Sequence, residues 1–193
     1  MANRHQFRAD WHDYNRGIYF VTICCVQKRH LFGKIIRDPG GAPRFIPSAL
    51  GEAVKENIKN IHTYYDNVEV WNHVVMPNHI HLVIAIQAQP TEPASAEQSG
   101  IGCLKPKRHE APQSQDFHHN SKLASVVGAF KAGVTRWART RRIASVPGDG
   151  KIWQARFHEH IIRSQRAFDN IMNYIDTNIE NWCRDTFNAD RAL

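Results

Sequence analysis

Hydrophobic positions along this chain switch between the two-residue period of strands and the 3.6-residue period of helices. Residues 17–27, GIYFVTICCVQ, are dense in β-branched and aromatic side chains and predict a buried strand. A Pro/Gly-rich loop follows around RDPGGAPRFIP. Leu50, Val54, Ile58 and Ile61 then recur at helical spacing after Pro47 and Ser48, which predicts an amphipathic helix. Residues 67–76 predict a second strand. Pro77 and Asn78 predict a tight turn, with Asn78 suited to a positive φ if the turn is type II. Residues 79–86, HIHLVIAI, return as a third strand.

Residues 87–120 lose this patterning, being rich in Pro, Ser, Ala and Gln, and predict a mobile surface insertion within a single domain spanning 1–193. Leu123, Val126, Val127, Phe130, Val134 and Trp137 form the apolar face of a second helix. RFHEHIIRS, after a further Pro/Gly loop, predicts a fourth strand. A last helix is expected from about Gln165 to Trp182, with Ser164 as N-cap and Phe168, Ile171, Ile175, Ile179 and Trp182 facing the core. Strand, helix, strand, strand, helix, strand predicts an α+β fold. Its core is a ferredoxin-like (RRM-like) βαββαβ arrangement with a mainly antiparallel sheet and an extra C-terminal helix.

Composition adds a partner class. The chain has 193 residues and a formal charge of +7, which favours a polyanion, nucleic acid before membrane. The excess is concentrated. Residues 121–166 hold ten Lys or Arg against Asp149 and Glu159, a net +8. Lys131, Arg136, Arg139 and Arg163 in this segment are the candidate DNA contacts. Trp153, Phe157 and Tyr14 are candidates to stack on unpaired bases, with core packing the commoner use of such rings. No apolar run approaches the ~20 residues that cross a bilayer, and MANRHQFRAD lacks the apolar segment of a signal peptide. Four cysteines without a CxxC spacing fit a reducing compartment and argue against a zinc finger or disulfide frame.

Two histidines interrupt the third strand. His79 and His81 share a face, with Cα atoms about 6.6 Å apart, a spacing at which two imidazoles can converge on one metal ion. His158 and His160 have the same spacing in FHEH, and spacing does not choose between the pairs. On the last helix Asn170, Tyr174 and Asn178 fall four apart, a polar stripe separate from the apolar one. A tyrosine there is either a partly buried aromatic or a nucleophile for a phosphodiester beside a divalent cation, with Asn178 as that ion's third ligand.

VVMPNHIHLVI, followed much later by NYIDTNIENW, resembles the REP-associated tyrosine transposases, bacterial relatives of single-strand transposases with an HUH motif, U being a bulky apolar residue. GIYFVTICC, GAFKAGVTRW and FHEHIIRS share the resemblance, which covers most of the chain outside the insertion. It implies His79 and His81 as metal ligands, Tyr174 as nucleophile and Asn178 as the residue completing the metal site. It gives no role to His158 and His160. The family commonly has Pro after the Asn, where this chain has Ile179, so the helix is expected to continue to Trp182. The implied reaction is transesterification on single-stranded or hairpin DNA with Mg²⁺ or Mn²⁺, through a 5′-phosphotyrosine, in a bacterial cytoplasmic, nucleoid-associated monomer or homodimer. A hydrolytic nuclease using water and a non-catalytic nucleic-acid-binding module are the alternatives.

Overall fold

A computed structural model describes residues 15–88, 121–143, 146 and 150–188. Among the described residues the first element is β1 (Gly17–Cys24), followed by a short hairpin of β2 (Gly33–Ile36) and β3 (Arg44–Pro47). Next come α1 (Ala49–Lys59), the single turn α2 (Ile61–Tyr64), β4 (Val68–Val75) and β5 (His79–Ile86). Beyond the expected insertion are α3 (Lys122–Thr140), β6 (His158–Ile162) and α4 (Gln165–Asp176). All but Gln87 and Ala88 of the insertion lie outside the described residues.

The main sheet has the order β4-β5-β1-β6, with every neighbouring pair antiparallel. This is the split βαβ order of a ferredoxin-like core, so the fold is α+β as the periodicities predict. β5 is covered on both faces, and all eight of its residues are buried. Ile80, Leu82 and Ile84 meet Leu50, Val54 and Ile58 of α1 and Leu123, Val127, Phe130 and Val134 of α3. Val83, on the opposite face, joins a second, smaller core with Val74, Ile162, Ile175 and Trp182. α4 therefore packs on the face that the other two long helices leave open. Gly51 lets α1 approach β1's following loop closely, since a Cβ there would collide with the Phe32 carbonyl oxygen.

Three local expectations are corrected. The RDPGGAPRFIP region is not all loop, because Lys34 pairs with Ile46 and Ile36 with Arg44 across a hairpin. Asn78 is not at positive φ; among the described non-glycine residues only Gln27, Lys28 and Arg142 are. Met76 N–H donates to the His79 carbonyl at 2.9 Å to close the turn, and the Asn78 amide is drawn inward instead of fitting a left-handed turn position. The last helix ends at Asp176 with Thr177 as C-cap. The chain then descends in irregular turns to a single 3₁₀ turn at Trp182–Arg184, because the buried side chains of Asn178 and Trp182 are both drawn against the sheet.

Candidate metal and tyrosine site

Alternation along β5 points His79 and His81 toward the α4 layer, where both are buried, at 0% and 1% exposure. They are not histidines on a wet sheet face. Each ring is held through Nδ1, by Asn78 Oδ1 at 2.8 Å for His79 and by Thr22 Oγ1 at 2.8 Å for His81. Thr22 stands opposite His81 in the β1–β5 register. The Asn78 Nδ2 group donates to the carbonyls of Lys28 (3.1 Å) and Phe187 (2.8 Å), which turns Oδ1 toward His79. An amide oxygen only accepts, so His79 Nδ1 carries the proton and Nε2 carries the lone pair. Gln27 and Lys28 both sit in the left-handed region, and the Lys28 carbonyl that results is one of the two that orient Asn78.

The two Nε2 atoms lie 3.0 Å apart. That is the edge two nitrogens make when each sits ~2.1 Å from one ion at about a right angle. Asp185 Oδ2 is 3.8 Å from His79 Nε2, and its carboxylate is nearly buried. The ligand atoms of His79, His81 and Asp185 all fall within 4.8 Å of one another. Burial, aided by His81 and then Lys28, lowers the His79 pKa to about 2; burial alone lowers His81 to about 3. Both rings are thus neutral at physiological pH, unable to accept a proton cheaply but able to offer lone pairs to a cation.

α4 brings the tyrosine. Ser164 caps it by accepting from Ala167 N–H, and Ile175 anchors it in the second core. One residue before Ile175, the Tyr174 hydroxyl lies 3.2 Å from His81 Nε2, with its side chain half in solvent, at 41% exposure. Its ring meets Phe20 edge-on at 6.0 Å. Burial raises the phenol pKa, a hydrogen bond from Asn178 opposes that, and the Asp185 charge adds to it. Asn178, one turn on, is buried at 2% exposure, and its Oδ1 has no hydrogen-bond partner. A buried carbonyl oxygen without a donor is unfavourable by ~1–3 kcal/mol, and a cation beside it would remove that penalty. Two imidazole nitrogens and a carboxylate, within 4.8 Å of one another, form a mixed N/O donor set that fits a divalent ion such as Mn²⁺, and the orphaned Asn178 oxygen is one more hard donor of the same kind.

The structure thus brings His79, His81, Tyr174 and Asn178 together within one chain. Sequence reading missed Asp185, which follows the last helix in a polar stretch with no periodicity to mark it. It also missed Asn78 and Thr22, which read as ordinary turn and strand residues. Phe187 packs on the His79 ring at 4.5 Å between centroids, and Trp182 at 6.1 Å. His158 and His160 are exposed on edge strand β6 and do not join the cluster.

The basic candidates sit elsewhere. α3 lies on the opposite side of the sheet from the histidines. Lys131 Nζ donates to the carbonyls of Gln154 (2.6 Å) and Ala155 (3.2 Å), so its ammonium ties two chain segments together. Arg136 and Arg139 line a groove of about 450 Å³ beside Lys131, Thr135 and Trp153. Arg163 is exposed just past β6. Trp153 and Phe157 pack against the first core, while Tyr14 lies outside the described residues. Among the described residues no helix is long and apolar enough to cross a membrane.

No family profile matches the chain. An uncharacterized protein of Haemophilus influenzae (strain KW20 / Rd) is 33% identical over 191 residues, covering 98% of this chain and 96% of that protein. Among solved structures, that of a REP-associated tyrosine transposase bound to a REP hairpin is similar over 92% of this chain and 72% of its own, at 17% identity and a TM-score of 0.49. A candidate transposase from Deinococcus radiodurans R1 is similar over 92% of this chain and 97% of its own, at 13% identity and a TM-score of 0.44.

Proposed function

We propose that this chain, which belongs to the same family as the Haemophilus influenzae protein, is a metal-dependent, tyrosine-using transesterase of single-stranded DNA, a transposase-like enzyme. The observation that carries the reading is the 3.2 Å approach of the Tyr174 hydroxyl to His81 Nε2, at the edge of a buried pair of neutral imidazoles. A structural tyrosine would not need two convergent imidazole nitrogens beside it.

His79, His81, Asp185 and Asn178 would hold the cation, Mn²⁺ or Mg²⁺. Once bound, the ion neutralises charge that develops on the phosphoryl oxygens. The chain's own part is positional. Asn78 and Thr22 hold the two rings by their Nδ1 atoms, so the Nε2 atoms stay turned to one point. Asn178 donates to the phenol oxygen and favours its ionised form. Tyr174 Oη attacks phosphorus, the Tyr–O–P bond forms, and the bond to the 3′ oxygen breaks. The phenol proton leaves to solvent and the departing oxygen takes one up as a free 3′-OH. The 5′-phosphotyrosine keeps the phosphodiester energy for rejoining. Arg163, exposed just past β6, is the proposed contact to the DNA backbone nearest the site, while Lys131, Arg136 and Arg139 lie on the far side of the sheet and would be reached only by DNA that continues past its edge. Hairpin-bearing DNA is the proposed substrate, since the solved REP-associated transposase is one bound to a REP hairpin.

The experiment is incubation of the full chain with 5′- and 3′-labelled single-stranded hairpin DNA and Mn²⁺, followed by a denaturing gel. A protein–DNA adduct that disappears in Tyr174→Phe supports the reading. Cleavage that survives Tyr174→Phe, with no adduct in the parent, replaces it with hydrolysis by water. Binding without any cleavage replaces it with a non-catalytic module.

A further inference from the structure

His158 and His160 have a place in the geometry that spacing alone did not reveal. In the β1–β6 register, Ile18 faces Ile162, Phe20 faces His160 and Thr22 faces His158. Directly opposed residues of an antiparallel pair share a face. Ile162 lies in the second core with Ile18 against it, while Ile161, the alternate residue, packs on the first. The two histidines therefore stand on the same face as His79, His81 and Tyr174, two strands across from the metal ligands. They are exposed where Ile162 is buried, because α4 leans toward the opposite edge of the sheet. There Trp71 of β4 meets Phe168 at 5.8 Å and Asn72 donates to Asp176 at 2.8 Å.

Phe20 and Thr22 join the exposed strip directly to the candidate site. Phe20 stacks on the His81 ring at 5.0 Å and 25° and meets Tyr174 edge-on, while the Thr22 hydroxyl is bonded to His81 Nδ1. Each exposed histidine is thus one cross-strand step from a residue that touches His81. Exposed Arg156 precedes the strip, while Glu159, Ile161 and, by continued alternation, Arg163 turn to the other face.

We infer that this strip of β6, with His158 and His160 at its centre, is where the DNA strand lies as it enters the site, the two imidazoles gripping nucleotides next to the reacting phosphate. Imidazole offers both a planar face for an unpaired base and an N–H for a phosphate oxygen. The inference rests on the proposed reaction for its ligand, but it concerns binding and not bond breaking, so the two can fail separately. His158 and His160 are positioning residues in this scheme and touch no reacting atom.

The test is the full-length His158→Ala/His160→Ala variant, read by anisotropy with a labelled twelve-residue oligothymidylate in EDTA and by adduct formation at saturating hairpin DNA with Mn²⁺. Loss of base stacking of the usual size predicts a Kd about tenfold higher, with the melting temperature unchanged. In the parent chain, diethyl pyrocarbonate should modify His158 and His160 in the absence of the oligonucleotide and not in its presence, while exposed His62 stays reactive in both. An unchanged Kd and no protection, in a parent that does form the adduct, overturn this inference and leave the reaction standing. Weakened binding and protection, in a parent that forms no adduct, overturn the reaction and leave the strip standing.

Discussion

Asn78 Oδ1 lies 2.8 Å from His79 Nδ1, and its own Nδ2 is tied to the carbonyls of Lys28 and Phe187. This contact decides which nitrogen of His79 turns its lone pair toward His81 and Asp185. Outer partners of metal-bound histidines are typically worth 10–100-fold in metal affinity. Asn78→Ala should therefore weaken Mn²⁺ binding by at least tenfold in titration calorimetry, and a Kd within twofold of the parent's would show that the tautomer is set otherwise.

Asp185 should be a ligand and not merely a neighbour. Its carboxylate faces His79 at 3.8 Å, and a cation between them would use its charge. Asp185→Asn keeps the shape and removes the charge, so Mn²⁺ affinity should fall by tenfold or more while the metal-free protein keeps its melting temperature. A structural carboxylate would give the reverse pattern, a lower melting temperature with metal affinity intact.

Acid should destabilise the metal-free fold through the two histidines. Their folded pKa values, about 2 for His79 and about 3 for His81, lie below the ordinary imidazole value of about 6.5, so the unfolded chain binds more protons as pH falls. The contribution is absent above pH 6.5 and grows below it, on the order of 2 kcal/mol for each ring by pH 5. Chemical denaturation at pH 7 and pH 5 should show the loss in the parent and a smaller one in His81→Gln.

Tyr174, the proposed nucleophile, should be a protonated phenol at neutral pH. Burial raises the Tyr174 pKa above its usual 10, and only the phenolate attacks well. The rate of adduct formation should climb close to tenfold per pH unit from 6.5 to 8.5 in single-turnover measurements. A rate flat with pH across that window would mean that the bound metal ion has already brought the phenol into its ionised form.

The opposite face of β5 should matter for stability and, through it, for the site. Ile80 is fully buried between the two site histidines in sequence. Ile80→Ala should destabilise the fold by ~2–4 kcal/mol in urea melts and also weaken Mn²⁺ binding, since the strand that sets the spacing of the two rings would lose its seat. Ser125→Ala, on the exposed side of α3, should change neither.

The strands and long helices were legible in the chain because backbone geometry imprints its period on neighbouring residues. The two-residue period placed His79 and His81 on one face, and the 3.6-residue period set Tyr174 above Asn178 in a stripe distinct from Ile171 and Ile175. Even the paired motif blocks are local, each within about a dozen residues. Periodicity carried no information about partners far away in the chain. Asp185 reaches His79 only because the segment after α4 folds back across the sheet. Thr22 meets His81, and Phe20 meets His160, only because β1 lies between β5 and β6. That order is decided by burying two apolar faces at once, a property of the whole sheet and not of any one segment. For the same reason, the sequence could name two HxH pairs, but only the pairing of strands could bury one beside Asp185 and Tyr174 and leave the other exposed next to it.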